Sequence, residues 1–238
     1  MNESIKCVVI GESEVGKSSL IITFCSGWFP KDYIPVETNN FSKTILFQNN
    51  PIDIKPFDTL SQSKYEEVRS LIYDGADVFI ICFSLIEPQS LERVSTKWAK
   101  EVHDFNSEAP IILVGLKKDL RDTFVEDPNN PNIKPIPTKD GQAMKECIGA
   151  YKYIECSSLT NTNVDDVFLS ALAAVSHQEE SDDSTVSESA NAKTGPSESD
   201  STSQSATAKT GSSESKSINE NEQKKEQENQ HQTSCNLL

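Results

Sequence analysis

Residues 11–18 read Gly11-Glu12-Ser13-Glu14-Val15-Gly16-Lys17-Ser18, and no other stretch constrains this chain as strongly. They fit the pattern G-x-x-x-x-G-K-[ST] without a mismatch. Before them, Ile5-Lys6-Cys7-Val8-Val9-Ile10 is a short apolar, β-branched run, the pattern of a buried strand. After them, Ser18-Ser19-Leu20-Ile21-Ile22-Thr23-Phe24 reads as a helix. A loop between strand and helix turns several backbone N–H groups one way, and the helix N-terminus adds positive potential. Such a loop suits a polyphosphate, with Lys17 reaching the outer phosphates and the Ser18 hydroxyl holding Mg²⁺. A glycine turn matching by chance has no need of the flanking strand and helix.

The same alternation continues. Residues 41–47 and 52–57 are strand-like and joined as a hairpin across Asn49-Asn50-Pro51. Residues 77–83 and 110–115 are continuous apolar runs, which suit strands buried on both faces of a parallel sheet. Tyr153-Ile154 is a short sixth strand. Helical patterns fall at 65–73, 89–105, 139–148 and 164–175. The expected fold is α/β: a mostly parallel, six-stranded, doubly wound sheet with helices on both faces and one antiparallel hairpin, over residues 1–177. Residues 178–234 are rich in Ser, Glu, Asn, Thr and Gln and too poor in apolar side chains to offset chain entropy, so a disordered spacer is expected there. Within it, residues 189–199 recur as 205–215, a repeat too polar for a solenoid unit.

Charge narrows the partners. Lys+Arg 22 against Asp+Glu 37 gives a net charge of -15 with no basic stripe, which argues against nucleic acid. No leader pattern and no apolar run near ~18 residues suggests membrane insertion. Cys7, Cys25, Cys82, Cys147 and Cys156 lie in or beside apolar runs without C-x-x-C spacing, as buried thiols of a reducing compartment rather than disulfides or zinc ligands.

Further chemistry-bearing segments follow the loop. Asp58-Thr59-Leu60-Ser61-Gln62 leaves the strand ending at Phe57; Asp58 there reaches Mg²⁺ through water, or is a helix N-cap. Leu116-Lys117-Lys118-Asp119 closes the strand at 111–115. The Asp119 carboxylate can accept two parallel hydrogen bonds from guanine, a donor pair that adenine lacks, while the Lys117 stem lies along the purine. Alone the segment is equally a charged loop. Glu155-Cys156-Ser157-Ser158-Leu159 offers a backbone N–H to guanine O6, or is a Ser-rich turn. Phe29-Pro30-Lys31-Asp32-Tyr33-Ile34-Pro35 is a semi-rigid loop, read as a lid and partner surface or as an ordinary connection. Cys235-Asn236-Leu237-Leu238 matches C-a-a-X of the geranylgeranyl type, unless the terminal cysteine is a coincidence.

In this order and spacing, these motifs resemble the Ras superfamily of small GTPases, and within it the Rho/Rac branch. Tyr33-Ile34-Pro35, Leu113-Val114-Gly115 with Lys117 and Asp119, and Leu120-Arg121-Asp122 carry that likeness, with an extra segment at 123–135 where the branch has its insert. The resemblance implies GTP/GDP and Mg²⁺ as ligands, effector proteins, an exchange factor and an activating protein as partners, and a prenyl anchor on Cys235 at the cytoplasmic face of membranes, with a cytosolic pool. It implies nucleotide contacts from Gly11 to Ser18, Phe29 against the base, a second switch at 58–62, and guanine recognition by Lys117, Asp119 and Ser158. Gln62 positions the attacking water. Tyr33, Ile34, Pro35, Val36, Glu37, Thr38, Asn39, Asn40 and Phe41 match the effector loop.

Departures from the family pattern are as informative. The first-switch threonine is Val36, which offers no oxygen to Mg²⁺. Thr38 lies roughly 6–7 Å further along an extended chain, against a bond of ~2.1 Å. Leu60-Ser61 replaces Ala-Gly, and Ser61 restricts a segment that must move. Ser13 crowds the space where Gln62 and a partner's arginine must meet, Glu14 brings negative charge near phosphates, and Leu116 replaces a polar brace of the loop. Pro128, Pro131 and Pro135 oppose a helix in the insert. Only Lys224-Lys225 stand where a polybasic run is common, so one prenyl chain gives weak, reversible binding. The expectation is a membrane-anchored GTP-binding switch with slow hydrolysis; the alternative is a GTP-loaded or nucleotide-poor scaffold regulated by abundance and prenylation.

Overall fold

The structure, a computed structural model, describes residues 3–31, 41–125 and 134–187, with backbone only for Ser63 and 179–187. The expected effector-loop residues from Tyr33 to Asn40, the middle of the insert, the spacer beyond 187 and Cys235 lie outside the described residues.

Six strands form one sheet: β1 (Glu3–Gly11), β2 (Lys43–Phe47), β3 (Asn50–Asp58), β4 (Val78–Ser84), β5 (Ile111–Leu116) and β6 (Lys152–Glu155), in the order β2-β3-β1-β4-β5-β6. All neighbours pair in parallel except the β2–β3 hairpin. Its turn is Gln48-Asn49, one residue earlier than expected. Both residues have positive φ, 49° and 67°, the conformation whose twist suits a two-residue hairpin.

The helices are α1 (Lys17–Ser26), α2 (Glu66–Tyr73), α3 (Pro88–Arg93), α4 (Ala99–Phe105), α5 (Lys118–Asp122), α6 (Thr138–Cys147) and α7 (Val164–Ser187). A π-helical turn, Val94–Trp98, joins α3 to α4. The apolar runs of the central strands feed two cores. Cys7, Val9, Ile80, Cys82, Ile112 and Val114 face α1 and α7, where Phe24 stacks on Phe168 with centroids 3.7 Å apart. Val8, Ile10, Phe79, Ile81 and Leu113 face the opposite side with Trp98, Val102 and Met144. Strand periodicity of two, apolar at both phases, is why these runs read as unbroken.

The chain divides between Gln178 and Glu179 into two units. The α7 backbone is helical to Ser187, beyond the helix end expected at 175. No Gly or Pro lies between Val164 and Ser187 to stop it. No helix of the described residues is long and apolar enough to cross a membrane. Cys7, Cys25, Cys82 and Cys156 are free thiols. Burial pushes Cys25 up to about 11 and Cys156 up to about 12, so both stay protonated.

Candidate functional site

In a parallel sheet the strands' C-terminal ends share one edge, and the loops leaving that edge form the crevice where ligands bind. Here β1 delivers residues 11–18 to that edge, β3 delivers Asp58, β5 delivers 116–119 and β6 delivers 156–159. The sequence alone could not show that the four segments meet; the topology puts them together.

Gly11 sits at φ +143° as β1 ends, and a Cβ there would stand 2.2 Å from the Cys82 carbonyl oxygen of β4. Neither the backbone conformation nor the neighbour can give way. Gly11→Ala should lower unfolding free energy by about 3–5 kcal/mol, strain and overpacking together, as read by chemical denaturation. A change under about 1 kcal/mol would mean the loop start is plastic. Gly16, at φ +114°, caps α1, and Leu116 packs 3.6 Å from where its Cβ would lie. Leu116 thus braces the loop by contact rather than by hydrogen bonding. Glu14 holds the left-handed φ of 62° without being glycine.

Lys17 is buried, and its ammonium donates to the carbonyls of Gly11 (3.0 Å) and Glu12 (2.7 Å) and to Ser61 Oγ (3.1 Å). Burial pulls its pKa down, opposed by Asp58 and Glu12. One helical residue on, the Ser18 hydroxyl donates to the Asp58 carboxylate, and the Thr59 N–H donates to Asp58 Oδ1 at 2.9 Å. Thr59 is fixed from below through its hydroxyl to the Val9 carbonyl, 2.8 Å. Burial raises the Asp58 pKa, with the Ser18 bond and Lys17 working against it. A buried carboxylate and a hydroxyl side by side are a hard-oxygen pair that a divalent cation would compensate. Among the described residues no cluster of three or more His, Cys, Asp or Glu offers a fuller metal cage. Mg²⁺ suits such a sparse site, because it keeps waters and takes phosphate oxygens as ligands.

The other half of the edge is held by β5 and β6. Lys117 adopts the left-handed conformation, φ 62° and ψ 39°, and starts the short α5 that carries Asp119. The Lys118 N–H donates to the Cys156 carbonyl at 3.1 Å, tying this loop to residues after β6. Ser157, fully buried, donates its hydroxyl to Asp119 Oδ1 at 2.6 Å. A carboxylate has about four lone-pair positions, so Asp119 retains acceptors for a ligand. Ser158 is buried beside it, and Leu159 is exposed. Behind them Arg121 donates to Glu155 at 2.6 Å, as does the Tyr153 hydroxyl at 2.9 Å, locking α5 to β6. The Lys118 ammonium is turned aside to Asp122. Phe29 is half-buried just beyond α1, and Phe41 packs on the core against α1 and α7.

A family model described as the Ras family matches residues 6–177. The chain belongs to the Ras family. Ras-family domains are small GTP-binding signalling modules that bind GTP and GDP with Mg²⁺ and answer to regulators and effectors.

Within this Ras-family domain, the segment after Asp58 is held in a way that sequence reading did not find. Three successive carbonyls are each taken by a cation. Arg69 Nη1 donates to Leu60 at 3.0 Å and to Gln62 at 2.9 Å, and the Lys97 ammonium donates to Ser61 at 2.9 Å. Arg69 is itself gripped twice by Glu101, at 2.7 and 2.9 Å, and Glu101 also accepts the Tyr73 hydroxyl. Lys97 leaves the π-helical turn and lies 3.9 Å over the Trp98 ring. The Gln62 side chain is exposed. No sequence spacing links Arg69 to a carboxylate 32 residues away.

Burial pushes the Glu101 carboxyl up, but its bonds to Arg69 and Tyr73 outweigh that and hold it below the ordinary 4.5. A depressed carboxylate contributes stability that is fully present above its unfolded pKa and is lost as pH falls through the lower, folded one. Glu101→Gln should therefore cost about 3 kcal/mol near neutrality, since it strands a buried guanidinium, and progressively less below pH 4.5. Thermal unfolding of both proteins across that range checks this; a gap independent of pH would contradict it.

Proposed function

We propose that this Ras-family chain is a Rho/Rac-like guanine-nucleotide switch of an atypical kind, anchored to membranes through Cys235 and hydrolysing GTP slowly. The observation that supports it most is the pairing, at one sheet edge, of Lys17, Ser18 and Asp58 on one side with Asp119, fixed by Ser157, on the other. The first group suits a magnesium-bound polyphosphate and the second a purine with two adjacent N–H donors.

In this reading, the backbone N–H groups of residues 13–18 and the Lys17 ammonium cradle the phosphates. Ser18 and Asp58 would hold Mg²⁺, which when bound neutralises charge on the outer phosphates. Asp119 accepts from the guanine edge, the Lys117 stem covers the ring, and Phe29 packs at its margin. Gln62 orients the attacking water. Residues 33–41 and the segment 58–62 are the surface effectors read. Because Ser13 and Ser61 crowd that surface, the protein's turnover is slow, and a scaffold that hardly hydrolyses is the neighbouring alternative. Leu120-Arg121-Asp122 and the insert at 123–135 favour the Rho/Rac branch.

The nucleotide content of the purified protein, by chromatography, tests this reading. A stoichiometric guanine nucleotide is expected; bound adenine nucleotide would contradict it. For the anchor, Cys235→Ser should shift the protein from membrane to soluble fractions, because a single prenyl chain beside an acidic tail binds weakly and nothing replaces it. Unchanged membrane fractionation would place anchoring elsewhere.

A further inference from the structure

Ser13 and Ser61, 48 residues apart, meet: Ser13 Oγ donates to Ser61 Oγ at 3.2 Å. The same Ser61 oxygen accepts from the Lys17 ammonium at 3.1 Å. An ammonium has three N–H donors. Lys17 spends them on Gly11 O, Glu12 O and Ser61 Oγ. The first two acceptors are carbonyls of the phosphate loop itself. The third comes from the facing segment after β3, on a rotatable hydroxyl. That segment is pinned on its outer side by Lys97 and Arg69, so Ser61 presents its hydroxyl inward to the loop.

We propose that Ser13 and Ser61 form a hydroxyl latch that makes this site discriminate against a third phosphate and favour the nucleoside diphosphate. The inference rests on the guanine-nucleotide reading and concerns what the site does with the length of the phosphate chain. The outermost phosphate extends past the Lys17 ammonium toward the facing segment. To reach Lys17 there it must take the donor that Ser61 holds and part the two serines. A diphosphate is served by the loop's backbone N–H groups and by the Lys17 donors that here point at the loop's own carbonyls, and leaves the latch closed. The latch is a property of two hydroxyls, distinct from any stiffness that replacing glycine confers.

The test separates those two effects by using alanine, which removes the hydroxyl and keeps the backbone restricted. Affinities for GDP and for a non-hydrolysable GTP analogue are measured on the full chain with Mg²⁺, for the unaltered protein, Ser13→Ala, Ser61→Ala and the double variant. The ratio of triphosphate to diphosphate affinity should rise about 3-fold in Ser13→Ala and about 10-fold in Ser61→Ala. The double variant should match Ser61→Ala alone, because both changes act through one contact. Ser13 is exposed, so Ser13→Ala reports even where Ser61→Ala impairs folding. An unchanged ratio in Ser13→Ala, with GDP still bound, overturns the latch and leaves the guanine reading standing. An unaltered protein that binds no guanine nucleotide overturns that reading and the latch together.

Discussion

Activator-stimulated GTP hydrolysis by this protein should be at least about 10²-fold weaker than that of a fully responsive Ras-family switch. Phosphoryl transfer on this fold depends on positioning and electrostatics rather than on covalent chemistry. In Ras, the partner's arginine finger contributes about 10⁵-fold, and it needs open space beside the phosphate loop. Here that space is bounded by Ser13, whose hydroxyl bonds across to Ser61. The carbonyls of Leu60, Ser61 and Gln62 are all tied to Arg69 or Lys97, so the segment carrying Gln62 starts from a braced position. Val36, in sequence terms, also lacks the oxygen of a first-switch threonine. A misplacement of 1 Å costs about 10²-fold by itself. Single-turnover hydrolysis with and without a Rho-type activating protein measures this. Ser13→Gly with Ser61→Gly should raise the stimulated rate by about 10-fold or more. A full response from the unaltered protein would mean the braces yield to the partner and the impaired-switch reading is wrong.

Asp119→Ala should weaken GDP and GTP binding by roughly 10²–10⁴-fold, about 3–5 kcal/mol for two hydrogen bonds to a charged acceptor. The carboxylate is held by a buried serine hydroxyl at 2.6 Å, on a helix start that Arg121 and Glu155 lock to β6. It is thereby oriented before a ligand arrives, so the cost of its removal falls on binding rather than on folding. Ser157→Ala should cost less, about 1 kcal/mol, because it frees the carboxylate without deleting it. Equilibrium titration with labelled GDP reads both. Equal losses in the two variants would point to collapse of the β5–β6 edge instead of lost recognition.

Much of the fold was legible because β4 and β5 are apolar at both phases and the glycine loop is bounded by strand and helix. The site was legible one segment at a time. Asp58, Lys17, Ser18 and Asp119 were each flagged by local pattern, and the parallel sheet carries all four to one edge. What stayed hidden was contact between distant segments. Ser13 and Ser61 were read as two separate departures, and their bond spans 48 residues. The Arg69–Glu101–Tyr73 cluster and Lys97 fall within the helical patterns at 65–73 and 89–105, and nothing local in those patterns marks them. Lys97 lies in the π-helical turn at Val94–Trp98 and Glu101 follows it, where a periodicity of 3.6 does not hold; Arg69 and Tyr73 reach them from α2, a separate helix. The hairpin turn slipped by one residue because Asn49-Asn50-Pro51 looked like the turn, while Gln48-Asn49 supplies the two positive φ values it requires. Helix α7 outran its expected end for lack of a breaker.

Competition for the site between GTP and ATP is the most direct measurement. The unaltered protein, loaded with fluorescent GDP, is titrated with each triphosphate under the same Mg²⁺. Displacement by GTP at concentrations at least about 10²-fold lower than ATP is expected, since Asp119 meets two donors on guanine and none suitably placed on adenine. Equal displacement by the two would contradict a guanine-reading site and leave only a phosphate-binding loop.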